Sequence, residues 1–365
     1  MGGLHLGLVG LGRIGALHAA NLATTAGVGR LTLADADGAR ARAVAAALPA
    51  GGARTAAVDV AVDVADDVDA LLRSGVDGLV VAAGTAAHPA LVRAGVDAGV
   101  PVLCEKPVAL DAARSLEVLE HVAARGGVVR IGHQRRFDAG YREARRAFRA
   151  GELGWLHAVR ALTCDAAPPP VAFLAGSGGL FRDCSVHDVD AVRWVTGREV
   201  VEVYARGSNN GDPAIGAVGD VDSAVALCTL DDGTLAVLSA SRYNGAGHDV
   251  RLELQGSLGT VVAGMDASTA ARSAEPGVAF PDGAPHATFA DRFAAAFRAE
   301  VAAFVELVAG GTGAGGAGDD LCRLEDSLAA SLVADAAQES LLTGAPVPVP
   351  PPGAVVRAGG RERAR

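Results

Sequence analysis

The chain has 365 residues, half of them hydrophobic and 20% charged, with a formal net charge of -10 at pH 7. It is long enough for two domains and apolar enough for a substantial core, and it has no basic block to neutralise phosphates, which argues against a nucleic-acid partner. Five scattered cysteines without CxxC spacing indicate no zinc site and no disulfide framework; no leader and no membrane-length apolar run stands out, so a cytoplasmic protein with no metal and no membrane partner is expected.

Leu4–Val9 reads as a short buried strand, followed by Gly10-Leu11-Gly12-Arg13-Ile14-Gly15 and a helical pattern over 16–26. Strand, glycine turn and helix in this order are the context that a dinucleotide-binding turn requires. Gly10 permits the tight turn, Gly12 lets the backbone approach a pyrophosphate, and Gly15 lets the helix pack closely. Arg13 and Ile14 lie within the turn and count with it as cofactor-binding candidates, and the N-terminus of the helix that follows presents free N–H groups to the phosphates. A second strand over 30–34 ends in Asp35, twenty positions after Gly15, where a ribose-binding carboxylate is expected. Such a carboxylate accepts from the ribose hydroxyls and repels a 2'-phosphate, so NAD is expected over NADP. The alternative is a turn aspartate within Ala34-Asp35-Ala36-Asp37-Gly38, and a phosphate on Arg40 would reverse the preference.

An apolar strand over 77–83 ends at Gly84-Thr85-Ala86-Ala87-His88-Pro89, and a helix follows over 89–98. Another buried strand over 100–104 ends at Glu105-Lys106-Pro107. The 32 basic residues include one lysine, Lys106. Arginine has a fixed planar fork and stays charged, whereas lysine offers a compact ammonium that can lose its proton when partly buried. A composition this biased toward arginine marks Lys106 as a residue arginine cannot replace. The alternation predicts a doubly wound parallel sheet, and ligands of such sheets bind beyond the carboxyl ends of the strands. Gly84, Thr85, His88, Glu105 and Lys106 all fall at that edge. A further strand over 128–132 leads into His133-Gln134-Arg135-Arg136-Phe137-Asp138.

Beyond it, strand-like runs recur over 158–163, 224–230 and 235–238, the last two joined by the hairpin signal Asp231-Asp232-Gly233. Asp183 and His187 stand four apart at the start of an apparent helix, which would put both on one face; the alternative is that Asp183 caps the helix and His187 packs. Helices are expected over 290–308 and 322–342, separated by a glycine-rich loop over 310–318. The proline-rich and then basic segment 346–365 reads as a disordered tail.

These motifs together resemble the Gfo/Idh/MocA oxidoreductase family: the glycine turn, Asp35, the strand ending before His88, Glu105-Lys106-Pro107, Gly132 with Arg135-Arg136-Phe137-Asp138, and the run from Gly178 to Asp188 followed by Arg193-Trp194 and Gly197. The resemblance spans 4–345. It implies an N-terminal Rossmann domain (1–132) and a C-terminal α/β domain with a large, mainly antiparallel sheet (133–345), through which members assemble as homodimers or homotetramers. Within the family the chain looks most similar to the inositol 2-dehydrogenase subgroup. It departs from that pattern at Gln134 (Met elsewhere), Cys184 (Thr), His248 (Tyr) and Phe289 (Trp).

The resemblance implies oxidation of a secondary ring hydroxyl of a cyclitol, myo-inositol in the first instance. His187 is the candidate to take the hydroxyl proton, Asp183 orients His187 or grips a substrate hydroxyl, and Lys106 stabilises the developing alkoxide, with Lys106 as the alternative proton carrier. Gln134, Arg135, Asp165 and His248 are the further substrate-binding candidates. Another sugar, aminocyclitol or anhydrosugar as substrate is the alternative, and a non-catalytic NAD sensor the more distant one.

Overall fold

The computed structural model describes residues 3–48, 60–310 and 320–351. The chain divides into two compact units, Met1–Phe137 with Ala295–Leu328, and Asp138–Ala294 with Ala329–Arg365.

The first unit is built on seven strands: β1 (Leu4–Val9), β2 (Val28–Ala34), β3 (Ala61–Val64), β4 (Gly78–Val81), β5 (Val102–Glu105), β6 (Val129–Gly132) and β13 (Cys322–Arg323), in the order β13-β6-β5-β4-β1-β2-β3. All pairs are parallel except β13 on β6. β1 and β4 read as near-continuous apolar runs because both faces of the sheet are covered, and Leu6, Leu8, Leu79, Val80 and Val81 are buried. The chain runs from β1 outward to β2 and β3, then returns to place β4 on the other side of β1. The turns after β1 and β4 therefore flank the point where the strand order reverses, the place where such sheets bind ligands.

The second unit carries β7 (Leu156–Cys164), β8 (Val200–Ser208), β9 (Ser223–Leu230), β10 (Leu235–Ser241), β11 (Asp249–Gly256), β12 (Thr260–Ala263) and β14 (Val347–Pro348), in the order β12-β11-β7-β10-β9-β8-β14. Every pairing is antiparallel except β10 on β7. Alternate residues bury one face: Val159 and Ala161, Ala226 and Cys228, Ala236 and Leu238. The other face leaves Val225, Leu227 and Leu235 exposed. The helix Val186–Thr196 is anchored to β7 by Thr163 Oγ1, which donates to the buried Asp188 carboxylate at 2.9 Å. Among the described residues no helix is long and apolar enough to cross a membrane.

Several expectations need correction. The first helix spans Arg13–Leu22, starting on the glycine turn itself. The helical stretch expected over 290–308 is two helices, Phe289–Arg292 and Ala294–Val308, the first begun by a capping box between Thr288 and Asp291. The stretch expected over 322–342 opens with β13 before the helix Leu324–Thr343, and through β13 the first unit reclaims chain beyond the boundary expected at 132. The tail expected from 346 onward begins instead as β14, paired with β8. Residues 352–365 of that tail, and 311–318 of the glycine-rich loop, lie outside the described residues.

Candidate active site

In the first unit, Gly10 has φ of +88°, and a Cβ there would lie 2.3 Å from the backbone nitrogen of Ala83, so the turn requires glycine. A Cβ on Gly15 would meet the Gly10 carbonyl oxygen at 1.9 Å. Gly12 is different, because nothing lies within 4 Å of its would-be Cβ. It forms the N-cap of the helix Arg13–Leu22 with no side chain capping it. An open cradle at an uncapped helix N-terminus fits the pyrophosphate of a dinucleotide. Gly12 and Arg13 are exposed and Ile14 is half-buried beside them.

Asp35 follows β2. Its Oδ2 accepts from Leu11 N at 2.6 Å and its Oδ1 from Asp37 N at 2.8 Å, while Arg40 Nη1 approaches Oδ1 at 3.4 Å. Asp37, rather than Asp35, caps the next helix, Gly38–Ala47. Asp35 thus stands at the strand end beside the glycine turn, as a ribose-binding acid should, with a half-exposed Arg40 against it.

Gly84 and Thr85 lead a 3-10 turn after β4, and Gly84 is exposed with open space where a Cβ would be. His88 was expected to touch the cofactor. It is instead buried, its Nδ1 2.8 Å from the Pro107 carbonyl and its Nε2 2.9 Å from that of Ala83. Both ring nitrogens tie the turn after β4 to the turn after β5, so His88 shapes the edge from below. Glu105 also faces inward: Oε1 lies 2.7 Å from His18 Nε2, and Oε2 accepts from Lys106 N at 3.3 Å. Burial pushes the Glu105 carboxyl up, but the His18 hydrogen bond and the electrostatic influence of His18, Lys106 and His88 outweigh it and hold it below the ordinary carboxylate range. Lys106 itself is half-buried at the end of β5. Gln134 and Arg135 are buried on a 3-10 turn directly after β6, and Arg136 pairs with Asp326 at 3.4 Å.

In the second unit, Asp183 lies in a π-helical turn, Phe181–Ser185, that runs into the helix Val186–Thr196. It therefore does not cap that helix. The wider turn changes the four-residue geometry assumed from sequence, and π-turns inside helices mark functional sites often enough to be informative. Arg242, fully buried at the end of β10, donates to Asp183 Oδ2 at 3.1 Å and to Asp220 Oδ2 at 2.7 Å. Asp220 Oδ1 accepts in turn from Leu180 N and Val221 N. This clamp was missed in the sequence, since its members lie far apart along the chain. His187 is half-buried one turn beyond Asp183. The two remaining candidates come together: His248 Nδ1 lies 3.2 Å from Asp165 Oδ1, and Cys184 Sγ approaches Asp165 Oδ2 at 3.9 Å.

Two family models match the chain. An NAD-binding Rossmann fold of the oxidoreductase family matches residues 4–133, and the Gfo/Idh/MocA C-terminal domain matches 141–262. The chain belongs to the Gfo/Idh/MocA oxidoreductase family. It is 42% identical to a myo-inositol dehydrogenase of Streptomyces leeuwenhoekii over 345 residues, covering 94% of this chain and 99% of the relative. Among solved structures, a myo-inositol dehydrogenase from Corynebacterium glutamicum superposes with a TM-score of 0.82 at 30% identity, covering 96% of this chain and 99% of that one. A scyllo-inositol dehydrogenase from Lactobacillus casei, with bound NAD(H) and scyllo-inositol, does so with 0.79 at 27% identity, covering 95% and 99%.

Proposed function

We propose that this member of the family oxidises a secondary ring hydroxyl of a cyclitol with NAD, converting myo-inositol to its 2-keto product. The observation that carries the proposal is the end-to-end similarity to a myo-inositol dehydrogenase, and the motifs the chain shares with the family support assigning the catalytic roles to Lys106, Asp183 and His187. NAD, when bound, supplies the acceptor for the carbinol hydride. The hydroxyl proton passes to an imidazole nitrogen of His187. Asp183, paired with Arg242 at 3.1 Å, accepts a hydrogen bond from the histidine or from a substrate hydroxyl. The Lys106 ammonium offsets the negative charge that grows on the oxygen as its proton leaves. Gln134, Arg135 and the Asp165–His248 pair are assigned to the neighbouring hydroxyls.

Asp35 supports NAD over NADP, because a 2'-phosphate would stand against its carboxylate; Arg40, at 3.4 Å, offsets part of that repulsion. A second copy of the chain is the partner assigned to the open face of the second sheet, giving a homodimer or homotetramer. Pairing places Leu227 between Val237 and Tyr204 in one apolar row on that face, while Val225 is flanked by Ser239 and Arg206.

The test is NADH formation across inositol isomers, aminocyclitols and aldoses, with NAD and NADP in parallel. Turnover of myo-inositol with NAD is expected. Turnover confined to another polyol would keep the chemistry and change the substrate, a result that His248 in place of the subgroup's tyrosine would accommodate. NAD binding without turnover of any compound would favour the sensor. Light scattering that reports a monomer would remove the assembly.

A further inference from the structure

Three elements of the first unit converge on one carboxylate. His18 projects from the helix Arg13–Leu22, one element with the cofactor cradle, and reaches Glu105 Oε1 at 2.7 Å across 87 positions of sequence. Glu105 ends β5, and Gly132 ends β6 beside it. A Cβ on Gly132 would stand 3.1 Å from all three atoms of the Glu105 carboxyl, so the missing side chain makes the slot in which that carboxylate lies. The other oxygen accepts from the backbone nitrogen of Lys106.

His18 is 1% exposed, meets the Phe297 ring edge-on, and its buried Nδ1 has no hydrogen-bond partner among the described residues. All of its hydrogen bonding is therefore directed through Nε2 at Glu105. A buried imidazole with one unsatisfied nitrogen is costly, and a leucine would fill the same apolar space without that cost. Helix packing alone does not account for a histidine here.

We infer that His18 is a positioning residue for Lys106: by clamping Glu105 it fixes the backbone from which the lysine projects, and it ties that lysine to the helix carrying the cofactor cradle. Seating of the cofactor and placement of the ammonium then share one rigid element. The kinetic part of this inference rests on the proposed dehydrogenase activity; the structural part does not.

Because the chain has a single lysine, reductive methylation with isotope-labelled formaldehyde gives one side-chain NMR signal besides that of the α-amino group, provided any purification tag lacks lysine. His18→Leu removes the donor and keeps the bulk. His18→Gln returns an N–H near the Nε2 position. In His18→Leu the Lys106 signal is expected to shift and kcat to fall about 10- to 100-fold, with NADH affinity held within about twofold. His18→Gln should restore most of both readouts. In a Lys106→Ala background, His18→Leu should cost nothing further, since both changes remove the same contribution. An unmoved Lys106 signal, or the same kcat loss in both backgrounds, would overturn the inference. If His18→Leu does not fold, His18→Asn, whose amide stops short of Glu105, takes its place against His18→Gln. Wild-type protein without turnover on any cyclitol would refute the activity alone, and the lysine signal would still decide the role of His18.

Discussion

Arg242 donates to Asp183 Oδ2 at 3.1 Å from a guanidinium that solvent does not reach. Its second contact, 2.7 Å to Asp220, binds it to a carboxylate that is itself buried and held by two backbone N–H groups. Replacing it with a neutral side chain would leave two carboxylates facing one another across a gap. Arg242→Met should cost about 3–5 kcal/mol of stability, the usual consequence of removing one partner from a buried ion pair, as read by urea unfolding. Arg242→Lys, which keeps the charge and loses the fork, should fold and lose kcat more than NAD affinity. Wild-type stability in Arg242→Met would show that the clamp carries nothing.

The glycine turn separates a glycine the backbone requires, Gly10, from one whose proposed role is to admit the pyrophosphate, Gly12. Gly10→Ala places a methyl 2.3 Å from backbone at a positive φ and should lower the melting temperature. Gly12→Ala meets no atom within 4 Å and should leave the melting temperature alone while weakening NADH binding. Fluorescence titration beside a thermal melt reads both. Unchanged NADH affinity in Gly12→Ala would mean that the cradle does not hold the dinucleotide.

Glu105 gives a pH-dependent expectation. Its folded carboxyl titrates below the ordinary range, so the native state favours the ionised form. That contribution is complete above the unfolded value of about 4.3 and disappears as pH falls through the lower folded value. Glu105→Gln should therefore be less stable than wild type at neutral pH, and the gap should narrow below about pH 4.3. Denaturant titrations over that range test it; a gap that does not change with pH would contradict it.

Cofactor choice should respond to Asp35. Asp35→Ser removes the repulsion toward a 2'-phosphate and leaves Arg40 free to receive it. The ratio of kcat/KM for NAD over NADP should fall by roughly tenfold or more, equivalent to at least about 1.4 kcal/mol. Some affinity for NAD will be lost as well, because Asp35 also accepts from Leu11 N and so supports the glycine turn. An unchanged ratio would assign the preference elsewhere.

What could be read directly from the sequence is what depends on near neighbours. β4 and β5 are apolar runs, and β1 is one interrupted only by His5 and Gly7; they stop at glycine or at a charged residue, and their order fixes the edge at which Lys106 emerges. The hairpin between β9 and β10 follows from Asp232-Gly233, where Gly233 has φ of +84° and Asp232 Oδ1 accepts from Thr234 N. His18 was not legible: one histidine in an alanine- and leucine-rich helix looks like packing until Glu105, a distant strand end, comes beside it. Arg242 was hidden for the same reason, and its one local signal was an arginine one residue past β10 that keeps the alternation of the buried Ala236, Leu238 and Ala240. The π-turn at Asp183 was equally out of reach, since the same residues read as an ordinary helix start. His88 and Glu105 were expected to bind the cofactor, and they do lie at the strand ends, but their side chains turn inward, because strand order gives a residue's location and not the direction its side chain takes.

The first unit takes its edge strand β13 and the helix Ala294–Val308 from chain that comes after most of the second unit. On the ribosome, the nucleotide-binding half therefore emerges first and waits: residues 138 to 328 must follow before β6 gains its outer neighbour. At about 5–20 residues per second that interval is roughly 10 to 40 s, during which the edge of β6 is open to other chains. A truncation ending at β6 would make that transient state permanent, and a nascent chain stalled there is the form of this protein most exposed to aggregation.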